Sequence, residues 1–363
     1  MFGPGPGPLR GPTIDHGPAF RARARNVVGW ARCSRMGSMA TEYELPETMR
    51  ALIIDETGAP EVLHLADRPL PRQISDEVLI KVVAAGLNPI EAKTRAGKGV
   101  AAAIQSYPTI LGNDFSGIVV RAAFAASPLQ PGDAVYGMGR VPRTSGSFAE
   151  YVSVSSMSVA HKPARLSHAE AAAVPIAALT AWGMVKLAGA APGQRMLVHA
   201  GSGGVGHFAV QFARVLGAHV TATASTRNLD FLRELGADEV IDYSTTRFED
   251  VVHDLDSVID LIGNVHDNTG TRSLTALRPG GLLVNAPTGS WPTMAADAAA
   301  AGRRATGFKV SPDARTLDEI SALLSSGTVR VHVDSVFELA DGAAAHRLLE
   351  EGHTRGKIVL RVS

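Results

Sequence analysis

The chain has 363 residues, 45% of them hydrophobic, and its 35 Lys and Arg balance 35 Asp and Glu. That length allows two ordinary domains with separate cores, and the balanced charge excludes a global field that would draw nucleic acid or an anionic membrane. The one cysteine, Cys33, excludes an intramolecular disulfide framework and fits a reducing, cytoplasmic location, while no uninterrupted apolar run reaches the roughly 18 residues of a membrane span.

Residues 1–44 combine Gly-Pro repeats with Arg21, Arg23, Arg25, Arg32 and Arg35 and almost no acid. Such a composition cannot pack a core, so a disordered tail, or translation starting at Met36 or Met39, is expected. From Met49 short strand-like runs follow at 50–54, 77–84, 117–120, 131–136 and 146–152, separated by Gly and Pro turns; they predict a compact barrel-like β domain. Near Leu166 the composition changes. The alanine-rich stretch 169–181 reads as helix, opened by a capping box of Ser167 and Glu170. Strands are then predicted at 196–200, 219–224, 239–242, 257–262, 281–287 and 305–310, with helices centred near Gln211, Phe231, Leu274 and Ala298. This alternation predicts an α/β, doubly wound parallel sheet. Beyond about Ser311 come an amphipathic helix at 317–325, renewed β character, a helix at 344–350 and a last strand at 356–360. That tail is expected to rejoin the first β domain, which divides the chain into 1–44, 45–166, 167–311 and 312–363.

The stretch Ala200-Gly201-Ser202-Gly203-Gly204-Val205-Gly206 stands between an apolar strand and a helix. Gly201, Gly203 and Gly206 have the spacing of a turn that approaches a pyrophosphate closely and packs the helix on the sheet, and the helix N-terminus offers free N–H groups to phosphate. NAD-binding versions of this arrangement place an acid about 20 residues further on. Here the second strand ends in Ser225, Thr226 and Arg227 instead, hydroxyls and a guanidinium that suit the 2′-phosphate of NADP(H). Ligands lie beyond the carboxyl ends of parallel strands, so Ile262, Gly263, Asn285, Ala286 and Pro287 are further candidate contacts. A rival reading takes Ser202 as a hydrolase nucleophile with Asp260 and His346; it lacks the upstream glycine run and leaves Gly206 unexplained. His199 and His207 flank the turn and read as packed or capping residues.

Several segments together resemble a known family: Gly86-Leu87-Asn88-Pro89-Ile90-Glu91-Ala92-Lys93-Thr94-Arg95-Ala96-Gly97; Leu111-Gly112-Asn113-Asp114-Phe115-Ser116-Gly117; Pro131-Gly132-Asp133; the glycine turn; Gly236-Ala237-Asp238; and Gly356-Lys357. From Met49 to Val362 the chain resembles the zinc-independent medium-chain dehydrogenase/reductases, most of all their quinone oxidoreductase and alkenal/enone reductase branch. The resemblance implies a Rossmann doubly wound parallel sheet inserted into a GroES-like β-barrel catalytic domain. It further implies hydride transfer from NADP(H) to a small-molecule quinone or enone, and a homodimer paired through the edge strand 305–310. Tyr243 is implied as a wall of the phosphate pocket, and Gly356 and Lys357 as cofactor contacts. Lys93 is implied to reach the nicotinamide side, Asn88 to orient cofactor or substrate, and Glu91 to hold Lys93 through a charge pair. The plain alternatives are a solvated Lys93 and a turn-forming Asn88.

Two departures matter. Relatives carry Asp where this chain has Glu91, and commonly His or another residue where it has Asn113. Zinc-dependent relatives place ligands where this chain has Asn88 and Asn113, so no metal site is expected. A protein that binds NADPH without turnover is a further reading that fold alone leaves open.

Overall fold

The computed structural model describes residues 45–363, so the expectations for the N-terminal tail and Cys33 lie outside the described residues. Six strands, Arg195–Val198, His219–Ala224, Glu239–Asp242, Leu255–Asp260, Leu277–Asn285 and Arg304–Gly307, pair in parallel in the order third, second, first, fourth, fifth, sixth. Met196, Leu197 and Val198 are fully buried. Such continuous apolar runs are what a parallel strand covered on both faces requires. The helices Gly206–Val215, Leu229–Glu234, Thr269–Ala276 and Met294–Ala300 supply the crossovers. Strand order reverses between the first and fourth strands, so a crevice opens at their carboxyl ends.

A second sheet has seven strands, running Val333–Glu338, Lys357–Arg361, Glu77–Leu87, Asp114–Arg121, Ala134–Met138 and Val159–His161, with Tyr151–Ser155 also paired to Glu77–Leu87. A smaller sheet joins Thr48–Ile54 to His64–Pro69 and Thr109–Ile110. The C-terminal strand pairs antiparallel with Glu77–Leu87, Ile358 opposite Leu87 and Val359 opposite Gly86. The last strand thus brings Gly356 and Lys357 to the end of the strand that leads into Asn88.

Two local readings need correction. The alanine-rich stretch is two helices, His168–Ala172 and Pro175–Leu187. Ser167 and Glu170 cap the first reciprocally, at 3.2 and 2.8 Å. Pro175 has no N–H to continue that helix and instead opens a new one; Asp114 Oδ1 accepts from Ile176 N at 2.9 Å there. Against the turn-forming alternative for Asn88, the segment that follows it is the helix Pro89–Arg95. Its start was visible in the pattern Asn88-Pro89-x-Glu91, with an Asn cap, Pro at the first position and an acid at the third.

Candidate active site

The glycine turn leaves the first sheet strand and enters the helix Gly206–Val215, whose first residue is Gly206. A Cβ on Gly206 would lie 2.1 Å from Ala200 O, so only glycine permits this close return of the backbone. At Gly201 a Cβ would meet Leu232 and Ala222 at 3.0 and 3.1 Å, whereas at Gly203 the nearest atom is 3.3 Å away. Val205 forms the N-terminal cap position, and Gly204 lies under the side chain of Lys357. Gly356 N donates to Ser202 O at 2.8 Å. The turn is therefore roofed by the C-terminal strand of the barrel.

Behind that roof five buried polar side chains form one network. Asn88 Nδ2 donates to Asp114 Oδ2 at 3.0 Å, and Asn88 Oδ1 accepts from Lys357 Nζ. The same ammonium donates to Leu87 O at 2.9 Å and lies 3.6 Å from Asp114 Oδ2. Glu91 Oε2 accepts from Asn88 N at 2.9 Å and its Oε1 from Asn113 Nδ2 at 2.8 Å. Burial pushes the Glu91 carboxyl up from 4.5 to about 7, a rise opposed by the Asn113 hydrogen bond and reinforced by the neighbouring Asp114. Burial likewise raises Asp114 and lowers Lys357, while their mutual attraction opposes both shifts.

This geometry corrects the proposed Glu91–Lys93 charge pair. Glu91 points into the network, whereas Lys93 is exposed on the same helix, two residues along and so on another face. The Asn88 amide is committed to Asp114 and Lys357, which makes it an internal strut. Asp114 lies within the Leu111–Gly117 motif, and no local pattern marks it as a site residue. Its importance comes from joining the barrel, the helix at Ile176 and the network, contacts between residues far apart in the chain.

At the second strand end Ser225 is half-buried and Thr226 and Arg227 are exposed. The Thr226 hydroxyl donates to Asp242, and Arg227 Nη2 donates to His353 O at 2.7 Å. Tyr243 is exposed, and its backbone N–H reaches Ala224 O at 3.1 Å, placing it beside this strand end. Among the remaining candidates, Asp260 is the organiser. Its Oδ1 accepts from Ile262 N and Gly263 N at 2.9 and 2.8 Å, its Oδ2 from Asn285 Nδ2 at 2.8 Å, and its backbone oxygen from Ala286 N at 3.0 Å. Pro287, the next residue, accepts from Ser290 N at 3.1 Å.

Those contacts leave the hydrolase reading without a triad. Ser202 Oγ is bonded to Asn228 Nδ2 at 3.1 Å, Asp260 holds the strand ends, and His346 is buried in the barrel beside Phe148. His199 and His207 are indeed packed. Thr223 and Ser273 bond the ring of His199, and His207 Nδ1 lies 3.0 Å from Gly203 O.

The close-approach turn, the helix N-terminus and the cationic strand end fit a phosphorylated dinucleotide. A zinc ion does not fit. Where ligands would be needed stand two amides with an ammonium between their carboxylate neighbours, and among the described residues no group of three or more His, Cys, Asp or Glu could hold a metal.

A family model described as the alcohol dehydrogenase GroES-like domain matches residues 74–164, and one described as zinc-binding dehydrogenase matches residues 235–360. The chain is 36% identical over 331 residues to a 2-methylene-furan-3-one reductase of Solanum lycopersicum, covering 88% of this chain and 81% of that protein. It is 36% identical over 334 residues to an NADPH-dependent alkenal/one oxidoreductase, chloroplastic, of Arabidopsis thaliana, with 89% and 82% covered. A solved quinone oxidoreductase from Coxiella burnetii superposes with a TM-score of 0.83 at 38% identity, covering 87% of this chain and 100% of that one.

Proposed function

The chain belongs to the medium-chain dehydrogenase/reductases, on their quinone oxidoreductase branch, and from that membership we propose that it is a zinc-independent, NADPH-preferring oxidoreductase. Its substrate is a quinone or the double bond of an α,β-unsaturated carbonyl. The observation that carries this reading is the buried Lys357–Asn88–Asp114 network, which sets a fixed ammonium where zinc-dependent relatives keep ligands. The names of the similar proteins support the substrate class.

A nicotinamide cofactor held at the glycine turn Gly201–Gly206 would supply the hydride for reduction of a quinone or of an enone double bond, with the balancing proton coming from water. The chain's part is binding and polarisation. The glycine turn receives the pyrophosphate, and Ser225 and Arg227 receive the 2′-phosphate. The Asp260–Asn285 tie holds the loops after the fourth and fifth strands in place. Lys93, exposed in the last turn of the helix that Asn88 caps, is the cation assigned to the substrate oxygen. The edge strand Arg304–Gly307 pairs with its counterpart in a homodimer, which satisfies its open N–H and C=O groups.

The test is an NADPH-oxidation screen with quinones, alkenals and saturated aldehydes, before and after chelation. Turnover of quinones or alkenals that survives chelation supports the reading. Chelator-sensitive reduction of saturated aldehydes would replace it with a zinc-dependent one. Arg227→Ala should raise the KM for NADPH at least ten-fold more than that for NADH.

A further inference from the structure

The chain is neutral overall, yet two barrel segments next to the buried network carry charge of one sign only. Residues 92–113 hold Lys93, Arg95 and Lys98, residues 134–149 hold Arg140 and Arg143, and neither segment contains an Asp or Glu. Arg95 is buried and paired with Glu350. The other four cations are exposed. Arg140 and Arg143 lie on the loop that follows the strand Ala134–Met138, whose last residue stands opposite Asp114 of the network.

That loop is tied down beside the network. Gly139 N donates to Asn113 O at 2.9 Å, Ser145 N and Gly146 N donate to Gly112 O at 3.2 and 3.1 Å, and Ser145 Oγ donates to the same oxygen at 3.0 Å. These bonds fix both ends of the loop and leave the Arg140 and Arg143 guanidiniums without a partner among the described residues. Val141, between them, packs on the apolar core that barrel and parallel sheet share. Phe308 packs on the same core, and its N–H reaches Asn285 O at 2.8 Å, at the carboxyl end of the fifth sheet strand. The loop is thereby anchored at Asn113 and seated on the core that also carries the rim where ligands of a parallel sheet lie. On the other segment Lys98 follows the helix Pro89–Arg95, its N–H bonded to Lys93 O at 2.7 Å.

We infer that Arg140 and Arg143 recognise a carboxylate carried by the substrate away from its reducible double bond, so that the protein prefers enones or quinones with an anionic tail. This rests on the reductase reading proposed above. Cations gathered without a carboxylate among them repel one another, and a substrate anion relieves that repulsion. A cleft bordered by one sign of charge also raises the local concentration of ligands of the other sign. A guanidinium presents a carboxylate with a planar fork of two donors. Lys93 is assigned to the oxygen next to the reacting carbons, which leaves the two arginines, on a separate segment, for a second group of the same molecule. The cofactor's phosphates do not account for them, because those are received on the glycine turn and the second sheet strand, whereas Arg140 and Arg143 belong to the loop anchored at Asn113.

The experiment compares kcat/KM, at saturating NADPH, for 10-oxoundec-8-enoic acid and its methyl ester; in both, the same double bond takes up a hydride from NADPH and a proton from water. Wild type at low ionic strength should favour the acid about ten-fold, and added salt should shrink that preference. Arg140→Gln combined with Arg143→Gln should remove most of it, and each single change should remove part. A merely structural role would slow both substrates alike and leave the ratio unchanged. If wild type turns over acid and ester equally, or the double variant keeps the wild-type ratio, the inference is overturned and the reductase reading stands. Reduction of simple alkenals with neither of these two substrates reduced overturns it as well. If no enone or quinone is reduced at all, the reductase reading fails and the inference with it. Both arginines are exposed, and either single variant keeps the test decisive should the double one fail to fold.

Discussion

Lys357 Nζ lies 3.6 Å from Asp114 Oδ2, with both side chains inside the protein, 4% and 0% exposed. Each ion costs several kcal/mol to bury, and the cost is offset only while both are present and otherwise hydrogen-bonded. Here the remaining partners are Leu87 O, Asn88 and Ile176 N. Asp114→Ala should therefore cost about 3–5 kcal/mol. The paired change Asp114→Asn with Lys357→Met should cost less than the sum of its two single changes. Urea denaturation of the four proteins provides the double-mutant cycle. Simple additivity would mean that the two charges do not act as a unit.

Glu91 makes stability depend on pH. Its carboxyl titrates near 7 in the folded chain and near 4.5 when unfolded. A raised folded value means that its contribution is fully present below about 4.5 and is lost as pH rises through about 7. The full difference is about 3 kcal/mol, to order of magnitude. Asn113 Oδ1 is buried without a partner among the described residues, and a glutamine at position 91 can donate to it if the Asn113 amide turns. Glu91→Gln should thus melt at a higher temperature than wild type at pH 8, with the advantage shrinking toward pH 5. Thermal melts at the two pH values check this, and a pH-independent difference would count against a titrating Glu91.

Gly206 and Gly203 should respond differently to the same added methyl. At Gly206 the methyl would meet Ala200 O at 2.1 Å, a backbone atom that cannot yield without opening the turn. Gly206→Ala is expected to cost about 1–3 kcal/mol and to weaken NADPH binding at least ten-fold. Gly203→Ala, with its nearest neighbour at 3.3 Å, should stay within about 1 kcal/mol of wild type. Thermal melts and titration of NADPH fluorescence separate the two.

Lys93 is exposed and outside the buried network, so Lys93→Ala should leave stability within about 0.5 kcal/mol of wild type. If its ammonium polarises the substrate oxygen, kcat at saturating NADPH and enone should fall at least ten-fold. Unchanged turnover would confine Lys93 to the solvated surface.

Short-range patterns carried much of the architecture. The glycine turn, the Ser167–Glu170 box and the alternation after Leu166 depend on contacts within a few residues or on burial of a whole strand, and the chain spells these out locally. The zinc-independent branch was legible too, because Asn88 and Asn113 replace ligands whatever the surrounding geometry. Even the helix at Pro89 had a local cap signal. The directions of individual polar side chains were not legible. Glu91 turns toward Asn113 because burial leaves it no solvent and the Asn88 N–H and the Asn113 amide are the donors that face it; Lys93 keeps its water. Asp114 and Lys357 acquire their roles only when the last strand pairs with Glu77–Leu87 and lays Gly356 over Ser202. Hydrogen bonds spanning more than 100 residues, such as Arg355 to Asn228 and Lys357 to Asn88, leave no periodicity in a sequence, so tertiary structure alone decided which charges meet at the site.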